Sequence, residues 1–456
     1  MKRMYKLFAA ALFVTAALSG GCRCCDKKLQ SKADVYENMF QNTVQKAGKK
    51  VFPALVYIKV VQANLDGGSS SSASASGSGV LITPDGEIVT NYHVIDKAVS
   101  IRCLLNDGRN FDAEIVGSDK DTDLALLKLK LPKDTPALPY ADFSRKTISE
   151  GEFVMALGAP WGLNRSISIG IISCVNRYLP GHSEYSLWYQ TDASISPGNS
   201  GGPMIDTDGR IVGINTLGMF GGGTLAFTIP SSTVEVILPR LRKYGKVNWA
   251  WFGLRLQPLK DFERNIYLPY KEGVLIAGTE VGSPAQIAGF EPNDLLLEIN
   301  GVKVNAETSE ALPAIYRQLG LSEFGQQLKF TIQREGHVFD ITCAAGEKGK
   351  VEGDEVVCEN WGFTAKTINR FDNPNLHFYR SKGVFVHGIK PRSPAARAYL
   401  MKNDIIIQIN GVDVSDLAGL FRCYQQAEKR SVNDRRSVIT VMRNGETIQL
   451  PIYINL

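Results

Sequence analysis

Residues 191–203 read Thr191-Asp192-Ala193-Ser194-Ile195-Ser196-Pro197-Gly198-Asn199-Ser200-Gly201-Gly202-Pro203, and this run constrains the chain more than any other. Its glycines allow positive φ and let a bound molecule approach the backbone closely. The amides of Gly198 and Ser200 can then point at one spot, as the stabilisation of an oxyanion requires. A serine beside a glycine is usually only a turn residue, so the interpretation of Ser200 as a nucleophile depends on two further segments.

Those two segments lie upstream and supply the other groups that a serine nucleophile needs. His93 follows two apolar runs around a Pro-Asp-Gly turn, so we expect it where the second strand of a hairpin ends. Asp123 is the last carboxylate before the apolar run 124–129, so we expect it to be buried, with Asp119 and Asp121 solvated. A hydroxyl needs a base to take its proton, imidazole titrates near neutrality, and a buried carboxylate fixes the imidazole tautomer. The sequence therefore predicts a triad of His93, Asp123 and Ser200.

The three segments together resemble the protease domain of the HtrA family, in which a chymotrypsin-like serine protease is joined to PDZ domains. The matching motifs are Thr-Asn-x-His-Val, Asp-Leu-Ala-Leu-Leu and Gly-Asn-Ser-Gly-Gly-Pro, in that order, and the resemblance covers roughly residues 50–456. It implies that His93 is the base, Asp123 the orienting carboxylate and Ser200 the nucleophile. It also implies that Gly198 and Asn199 shape the oxyanion hole.

An internal repeat organises the C-terminal half. The motifs Gly-Val, Ser-Pro-Ala and Ile-Asn-Gly-Val recur at a constant offset of 110 residues, which indicates two copies of one unit. We call residues 249–346 the first repeat unit and residues 355–456 the second. Both resemble PDZ domains, which bind an extended peptide as an added strand. The resulting hypothesis places the peptide at Gly273, Val274, Leu275, Gly383, Val384 and Phe385.

Two alternatives stay open for these units, one of geometry and one of role. Tyr399 stands where the first unit has Gly289 after its short helix, and a left-handed helix end is costly for tyrosine. The geometry of the second unit is therefore open to change. One or both units could also serve only in assembly.

Length, composition and charge indicate how many domains the chain has and exclude several classes of partner. A chain of 456 residues is too long for one core, and we predict a mostly-β chain with a double β-barrel protease domain at 50–245 and two α+β PDZ domains. The net charge is only +5, and three basic residues lie near the N-terminus, so no nucleic-acid partner is expected. No phosphate-binding Gly-x-x-x-x-Gly-Lys-Ser/Thr run occurs, so ATP use is not expected either. We expect no cofactor and no metal site.

The N-terminus has the pattern of a bacterial export signal. A basic start precedes an apolar run of a dozen residues, too short to cross a bilayer. Residues 1–21 are interpreted as a signal peptide, with Cys22 as a candidate lipidation site and the periplasm as the destination. Residues 22–49 are interpreted as an assembly segment. The family resemblance implies a homotrimer or a multiple of trimers, with Tyr36 and Phe40 as candidate contacts.

Three smaller interpretations concern loops and specificity. The Ser-, Ala- and Gly-rich segment 67–79 is predicted to be a flexible loop. The first specificity pocket is assigned to Ile214, Asn215, Thr216, Leu217 and Phe227, and Met219 and Phe220 are expected to close it. None of these residues is charged, so the pocket should favour small aliphatic side chains of the substrate. By resemblance, Arg177 is a candidate regulatory residue before the loop that leads to Trp188, although a solvated arginine is an equal alternative.

Two functional classes follow from these observations. The first is an ATP-independent serine endopeptidase that degrades misfolded exported proteins and recognises hydrophobic C-terminal peptides through its PDZ domains. The second is a peptide-binding chaperone or scaffold in which the protease fold is only a support. The complete triad favours the first class.

Overall fold

The computed structural model describes residues 38–65, 67–160, 165–220, 224–430 and 436–453, and its N-terminal half folds into two closed six-stranded β-barrels. The first barrel closes in the order β1-β2-β3-β6-β5-β4 and the second in the order β10-β11-β12-β9-β8-β7. The strands of the first barrel are β1 (Leu55–Asn64), β2 (Ser71–Leu81), β3 (Glu87–Thr90), β4 (Ala98–Leu105), β5 (Asn110–Asp119) and β6 (Leu124–Leu129). Those of the second are β7 (Phe153–Gly158), β8 (Ser166–Arg177), β9 (Trp188–Thr191), β10 (Pro203–Ile205), β11 (Ile211–Phe220) and β12 (Thr224–Pro230). The predicted mostly-β double barrel is confirmed.

In the described part of the chain, three α-helices accompany the barrels. Residues 38–51 form helix α1, in which Ala47 and Val51 join the core while Met39 and Phe40 stay exposed. Helix α2 (Tyr92–Ile95) carries His93. Helix α3 (Ser231–Tyr244) packs against β5 and β6 of the first barrel and β11 and β12 of the second, so it holds the two barrels together. None of the helices in the described residues is both long and apolar enough to cross a membrane.

The Ser-, Ala- and Gly-rich segment is not a flexible loop, and that prediction is wrong. Residues 71–81 form β2, which pairs with β1 without interruption from Leu55↔Val80 to Asn64↔Ser71. Gly77 and Gly79 allow β2 to lie close to its neighbours, because a Cβ at either position would press on Val94 or Ile88. Small side chains are therefore a packing requirement of this strand.

The two repeat units form sheets of one topology. In the first unit the strands lie in the order β14 (Leu254–Gln257), β17 (Val274–Thr279), β18 (Leu295–Ile299), β20 (Gln327–Arg334) and β21 (His337–Ala344), with β19 (Val302–Lys303) beside β18. In the second unit the same order is formed by β24 (Phe363–Thr367), β25 (Val384–Ile389), β26 (Ile405–Ile409), β28 (Arg436–Arg443) and β29 (Glu446–Tyr453), with β27 (Val412–Asp413) beside β26. The second sheet contains one more strand, β23, outside β24.

The elements of the first repeat unit are β13 (Ala250–Trp251), β14 (Leu254–Gln257), β15 (Lys260–Asp261), β16 (Ile266–Tyr267), β17 (Val274–Thr279), α4 (Pro284–Ala288), β18 (Leu295–Ile299), β19 (Val302–Lys303), α5 (Leu312–Gly320), β20 (Gln327–Arg334), β21 (His337–Ala344) and β22 (Gly346–Glu347). Those of the second are β23 (Glu355–Cys358), β24 (Phe363–Thr367), α6 (Pro374–Tyr379), β25 (Val384–Ile389), α7 (Pro394–Arg397), β26 (Ile405–Ile409), β27 (Val412–Asp413), α8 (Leu417–Glu428), β28 (Arg436–Arg443) and β29 (Glu446–Tyr453).

Matching contacts support the repeat seen in the sequence. Asp294 is buried and holds Arg334, whose guanidinium also donates to the Gly289 carbonyl. In the second unit a buried aspartate holds Arg443, which donates to the Tyr399 carbonyl in the same way. Tyr399 has φ of +60°, so it adopts the left-handed conformation of Gly289 despite its side chain. The local geometry of the second unit is thus retained at this position.

The second repeat unit also lies against the first barrel. The tip of the β1–β2 hairpin reaches it, where the Thr364 hydroxyl donates to the Leu65 carbonyl and the Ser70 amide donates to Glu359 at 2.9 Å. Ion pairs Lys97–Glu355 and Lys120–Glu352 add to this contact. The β1–β2 hairpin, whose second strand lies largely in the segment predicted to be a loop, therefore docks the second repeat unit on the first barrel.

Candidate active site

His93 and Asp123 meet where β3 ends and β6 begins in the first barrel. His93 Nδ1 lies 2.8 Å from Asp123 Oδ2, and the His93 amide donates to Asp123 Oδ1 at 3.0 Å. Asp123 has φ of +55°, a left-handed conformation that aspartate tolerates better than most residues. This conformation turns the carboxylate back toward the helix that carries His93.

Backbone contacts fix the two turns to each other. The Asp123 carbonyl accepts hydrogen bonds from the Tyr92 amide at 3.1 Å and from the Asn91 side-chain amide at 3.1 Å. These backbone contacts keep His93 and Asp123 adjacent even without the contact between their side chains. Such support from neighbouring groups is what a preorganised site needs.

The electrostatics suit a base that works near neutral pH. Burial lowers the pKa of His93, but the hydrogen bond and the charge of Asp123 outweigh it, so the pKa lies above its ordinary value. The imidazolium that forms when this base takes a proton is thereby stabilised.

Ser200 lies on the glycine turn beside these two residues. Its hydroxyl donates to the Thr216 carbonyl at 3.0 Å, and among the described residues no hydrogen bond joins it to His93. Gly198 has φ of +100°, and the amides of Gly198 and Ser200 have no hydrogen-bond partner within the described part of the chain. The two amides are thus free to bind an anion.

Asn199 contributes to the turn in a different way. Its amide donates to the Ser196 carbonyl at 2.9 Å, and its side-chain oxygen accepts from the Ser166 hydroxyl at 3.2 Å. The residue is buried. Asn199 therefore shapes the turn through its own contacts, and the free donors are those of Gly198 and Ser200.

Ser78 supports the same turn from β2, and the sequence did not single it out. The Ser78 hydroxyl donates to the Gly198 carbonyl at 2.6 Å and accepts from the Ala159 amide at 2.9 Å. The Ser78 amide donates to the Ser200 carbonyl at 2.8 Å. Its position between two glycines in an otherwise repetitive segment was the one available signal.

Thr216 was assigned to the substrate pocket, and the structure gives its side chain another contact. A β-bulge between Asn215 and Leu217 re-aims it, so that the Thr216 hydroxyl donates to Asp123 Oδ2 at 2.5 Å. Its carbonyl accepts from Ser200. One residue thus touches both the carboxylate and the nucleophile.

The other pocket residues are mostly buried. Ile214 and Phe227 belong to the barrel core, and Leu217 packs against it opposite Phe227. The Asn215 side chain is buried and donates to the Leu157 carbonyl at 3.0 Å, so it is a tether rather than a pocket wall. The assignment of Leu217 to the pocket stays a prediction, and the side chains of Met219 and Phe220 lie outside the described residues.

The expected solvation of Asp119 is wrong, and Asp121 is only partly exposed. Asp119 is buried and accepts from the indole of Trp249 at 2.8 Å and from the Thr122 amide and hydroxyl. Asp121 pairs with the buried Lys348 at 2.9 Å. Trp249 belongs to the first repeat unit and Lys348 follows it. They lie 130 and 227 residues from Asp119 and Asp121 in sequence, so the local sequence did not reveal these contacts.

The predicted peptide sites of the repeat units are also wrong. Residues 273–275 and 383–385 lead into β17 and β25, and each of these strands is paired on both sides. Val274, Leu275, Val384 and Phe385 are buried as a result. A peptide cannot be added to an inner strand. In the first unit β14 is one of the two edge strands, and it faces α5 across a cavity of about 560 Å³.

Arg177 lies at the end of β8 and at the wall of that cavity. Its Nε donates to the Gln190 side chain at 2.9 Å, and Leu256 and Tyr316 line the same cavity from the first unit. Residues 178–187, which we call the β8–β9 loop, contact that unit directly: Tyr185 stacks on Trp249 with ring centroids 3.9 Å apart, and Arg317 donates to the Tyr185 carbonyl at 2.8 Å.

Comparison with known proteins agrees with this geometry. A family model described as a trypsin-like peptidase domain matches residues 77–214, and a PDZ domain model matches residues 352–429. A probable periplasmic serine endoprotease DegP-like from Brucella suis is 31% identical over 388 residues, which cover 83% of this chain and 74% of that protein. A protein of the same name from Hahella chejuensis is 31% identical over 394 residues, covering 84% of this chain and 81% of that protein.

A solved structure shares the fold at a similar level of identity. The HtrA-type protease AlgW with tripeptide is 29% identical with a TM-score of 0.59, and the match covers 67% of this chain and 97% of that chain. The chain therefore belongs to the DegP-like, HtrA-type serine endoproteases, and it is a serine endopeptidase with a PDZ domain in its second repeat unit.

Proposed function

We propose that His93, Asp123 and Ser200 hydrolyse peptide bonds in misfolded exported proteins without ATP. The observation that carries this proposal is the set of contacts around Asp123. Its carboxylate binds the His93 ring and accepts a hydrogen bond from Thr216. Close by, the amides of Gly198 and Ser200 have no partner among the described residues. The relatives named periplasmic serine endoproteases support the choice of substrate.

The proposed reaction begins when the Ser200 hydroxyl leaves the Thr216 carbonyl for His93 Nε2. The oxygen attacks the scissile carbonyl as its proton passes to Nε2, and the oxyanion binds the amides of Gly198 and Ser200. The C–N bond then breaks as the imidazolium gives its proton to the leaving amine. Water repeats the sequence and releases the acid and Ser200.

The base must be neutral at the start of this reaction. Because Asp123 raises the pKa of His93 above its ordinary value, activity should fall as the pH decreases, with a midpoint above that of an ordinary histidine. Removal of the carboxylate removes the cause of the increase, so an Asp123→Asn variant should have a lower midpoint.

We infer that both repeat units are PDZ domains and that the first binds hydrophobic C-terminal peptides along β14. The amides of Phe252 and Gly253 have no partner among the described residues, and Gly253 has φ of +73°. They lie beside a pocket of about 100 Å³ lined by Leu254, Leu319 and Tyr316 among others. The charged residues Glu184, Arg255 and Glu280 also line this pocket, so the proposal assigns the terminal carboxylate to the two free amides and the terminal side chain to the apolar part of the pocket wall.

Arg177 is proposed to report peptide binding to the active site. It shares a cavity with the β14–α5 groove, and the β8–β9 loop that follows it is held by Trp249 and Arg317 of the first unit. If a bound peptide favours one position of this loop, it can shift the active-site population. Stimulation of cleavage by a hydrophobic peptide, lost in an Arg177→Ala variant, would support this role.

The remaining proposals concern location and assembly. We propose export to the periplasm, a lipid anchor at Cys22 and assembly into trimers through the N-terminal segment. Phe40 is exposed and packs edge-on against Phe153 at 5.6 Å, an aromatic pair available to a second copy. Cys22, Tyr36 and the signal peptide lie outside the described residues, and mass spectrometry of the mature N-terminus tests the anchor.

The decisive experiment replaces the nucleophile. Ser200→Ala should reduce cleavage of an unfolded protein by about 10⁶-fold with little effect on folding, because only one hydroxyl is lost. Ser196→Ala, in the same turn, is the matched control and should retain activity, because its role is carried by its backbone carbonyl. Cleavage retained by Ser200→Ala would exclude the proposed mechanism and favour a chaperone or scaffold.

A further inference from the structure

We propose that residues 355–358 occupy the peptide groove of the second repeat unit as an internal ligand, whereas the groove of the first unit holds no strand in the described residues. The proposal rests on the proposed function in one respect, the peptide-binding role of the β14–α5 groove. The groove of the second unit is the equivalent space between β24 and α8.

The strand β23 takes the place of an added peptide strand. It runs antiparallel to β24 from Glu355↔Lys366 to Cys358↔Phe363, on the edge that faces α8. The corresponding strand of the first unit, β14, has no strand on that edge in the described residues. There the Leu256 amide donates instead to the Tyr316 hydroxyl of α5 at 2.9 Å.

The end of β23 lies where a peptide carboxylate would bind. The Cys358 carbonyl accepts from the Gly362 amide at 2.8 Å and from the Trp361 amide at 3.1 Å. Gly362 has φ of +74°, nearly the value of Gly253, the equivalent residue of the first unit. The amides that are free at Phe252 and Gly253 are thus already used in the second unit.

Side chains of β23 fill the apolar part of the groove. Cys358 is fully buried in the core that contains Leu420 and Tyr424 of α8, and Val356 packs against the same core. Val357, between them, points to the other face because successive strand residues alternate. The internal ligand therefore presents apolar groups at alternate positions, which is the chemistry that a competing peptide must offer.

Charged groups hold β23 in place and link it to the protease barrels. Glu355 lies 3.2 Å from Lys366 of β24 and 3.2 Å from Lys97 of the first barrel. Lys366 is buried and also contacts Glu352 and Asp372. The same group of ion pairs therefore holds β23 in the groove and holds the second unit on the first barrel.

The test measures where a peptide binds in the full chain. The background is Ser200→Ala, to prevent cleavage. The probe is Glu-Gly-Asp-Glu-Val-Val-Val with a free carboxylate, which copies residues 352–357 and ends in valine. Val356→Lys removes an apolar contact with the groove and adds a charge, and Val357→Lys is the matched control on the opposite face.

Calorimetry should give one peptide per chain in the background protein and in Val357→Lys, and two in Val356→Lys. Hydrogen exchange should place the first peptide on residues 253–257 in every variant. It should place a second on residues 363–367 only in Val356→Lys, where these amides exchange faster before the peptide is added.

Several outcomes would overturn the proposal. One is protection of residues 363–367 by the peptide in the background protein. Another is slow exchange of these amides in a folded Val356→Lys protein. If Val356→Lys also exposes β26 and β28, the second unit is unfolded, and Glu355→Gln, which removes the charge that holds β23, takes its place under the same criteria. Failure to protect residues 253–257 would instead contradict peptide binding by the first unit.

Discussion

At the scale of single residues, Thr216 shows how one side chain can join two parts of a catalytic site. Its hydroxyl binds the carboxylate of Asp123 and its carbonyl holds the hydroxyl of Ser200. The first contact orients the Asp123 carboxylate, and the second holds the Ser200 hydroxyl away from His93. Only the first can be removed by substitution of the side chain.

Thr216→Val keeps the shape of the side chain and removes the hydroxyl. A hydrogen bond to a charged group contributes about 1.5–3 kcal/mol, so kcat/KM should fall by roughly 10- to 100-fold. Steady-state cleavage of a peptide substrate measures this change.

Thr228→Val, on the neighbouring strand β12, is the matched control. The Thr228 hydroxyl is buried without a partner in the described residues, so its removal should leave activity unchanged and stability equal or higher. Equal losses in the two variants would mean that Thr216 matters only for packing.

The sequence predicted some of these residues and missed others for a physical reason. His93, Asp123 and Ser200 each lie in a local motif, and the structure brings His93 and Asp123 into contact. The contact of Thr216 with Asp123 depends on a β-bulge, and the burial of Asp119 depends on Trp249, which is 130 residues away in sequence. Contacts supplied by distant segments leave no mark in the local pattern.

At the scale of elements, β2 shows a strand formed against its intrinsic preference. Serine, alanine and glycine do not favour strands, yet β2 forms because β1 pairs along its whole length and the closed barrel provides β3 on its other edge. The opposite error concerned β17. Gly273, Val274 and Leu275 were assigned to a groove, but the continuous apolar run Val274-Leu275-Ile276 is typical of a strand buried on both faces.

The small residues of β2 also support the catalytic turn, and Ser78→Ala tests this. The Ser78 hydroxyl holds the Gly198 carbonyl, so its loss should allow the oxyanion turn to move. Loss of a direct oxyanion donor costs roughly 10²–10³-fold in kcat, and an indirect support should cost less, about tenfold, with KM little changed.

Ser76→Ala provides the control for that measurement. Ser76 lies two residues earlier on the same face of β2 but is exposed. Its substitution should leave kcat unchanged, whereas a similar loss in both variants would indicate a general effect on β2.

At the scale of the whole molecule, a small cluster joins the catalytic domain to the first repeat unit. Lys348 lies between Asp121, two residues before Asp123, and the ring of Tyr185, at 4.5 Å from its centroid. Trp249 stacks on the same ring and donates to Asp119. The loop before Asp123 and the β8–β9 loop thus contact the repeat unit through one set of side chains.

Lys348→Met tests whether this cluster controls the β8–β9 loop. Only 5% of the Lys348 side chain is exposed, so methionine can fill its volume but leaves Asp121 unpaired and removes the cation–π contact with Tyr185. Asp121 is partly exposed, so the cost should be below that of a fully buried pair, about 1–2 kcal/mol. Amides of residues 178–187 should then exchange roughly tenfold faster, because 1.4 kcal/mol corresponds to one factor of ten.

Lys246→Met is the control for this last comparison. Lys246 lies on the same side of the repeat unit and pairs with Glu347 at 4.0 Å, but 62% of its side chain is exposed, so the pair contributes little. Exchange in the β8–β9 loop should match that of the unsubstituted protein. Equal acceleration by both variants would mean that the loop responds to charge in general, and no acceleration by Lys348→Met would mean that Trp249 and Arg317 hold the loop without it.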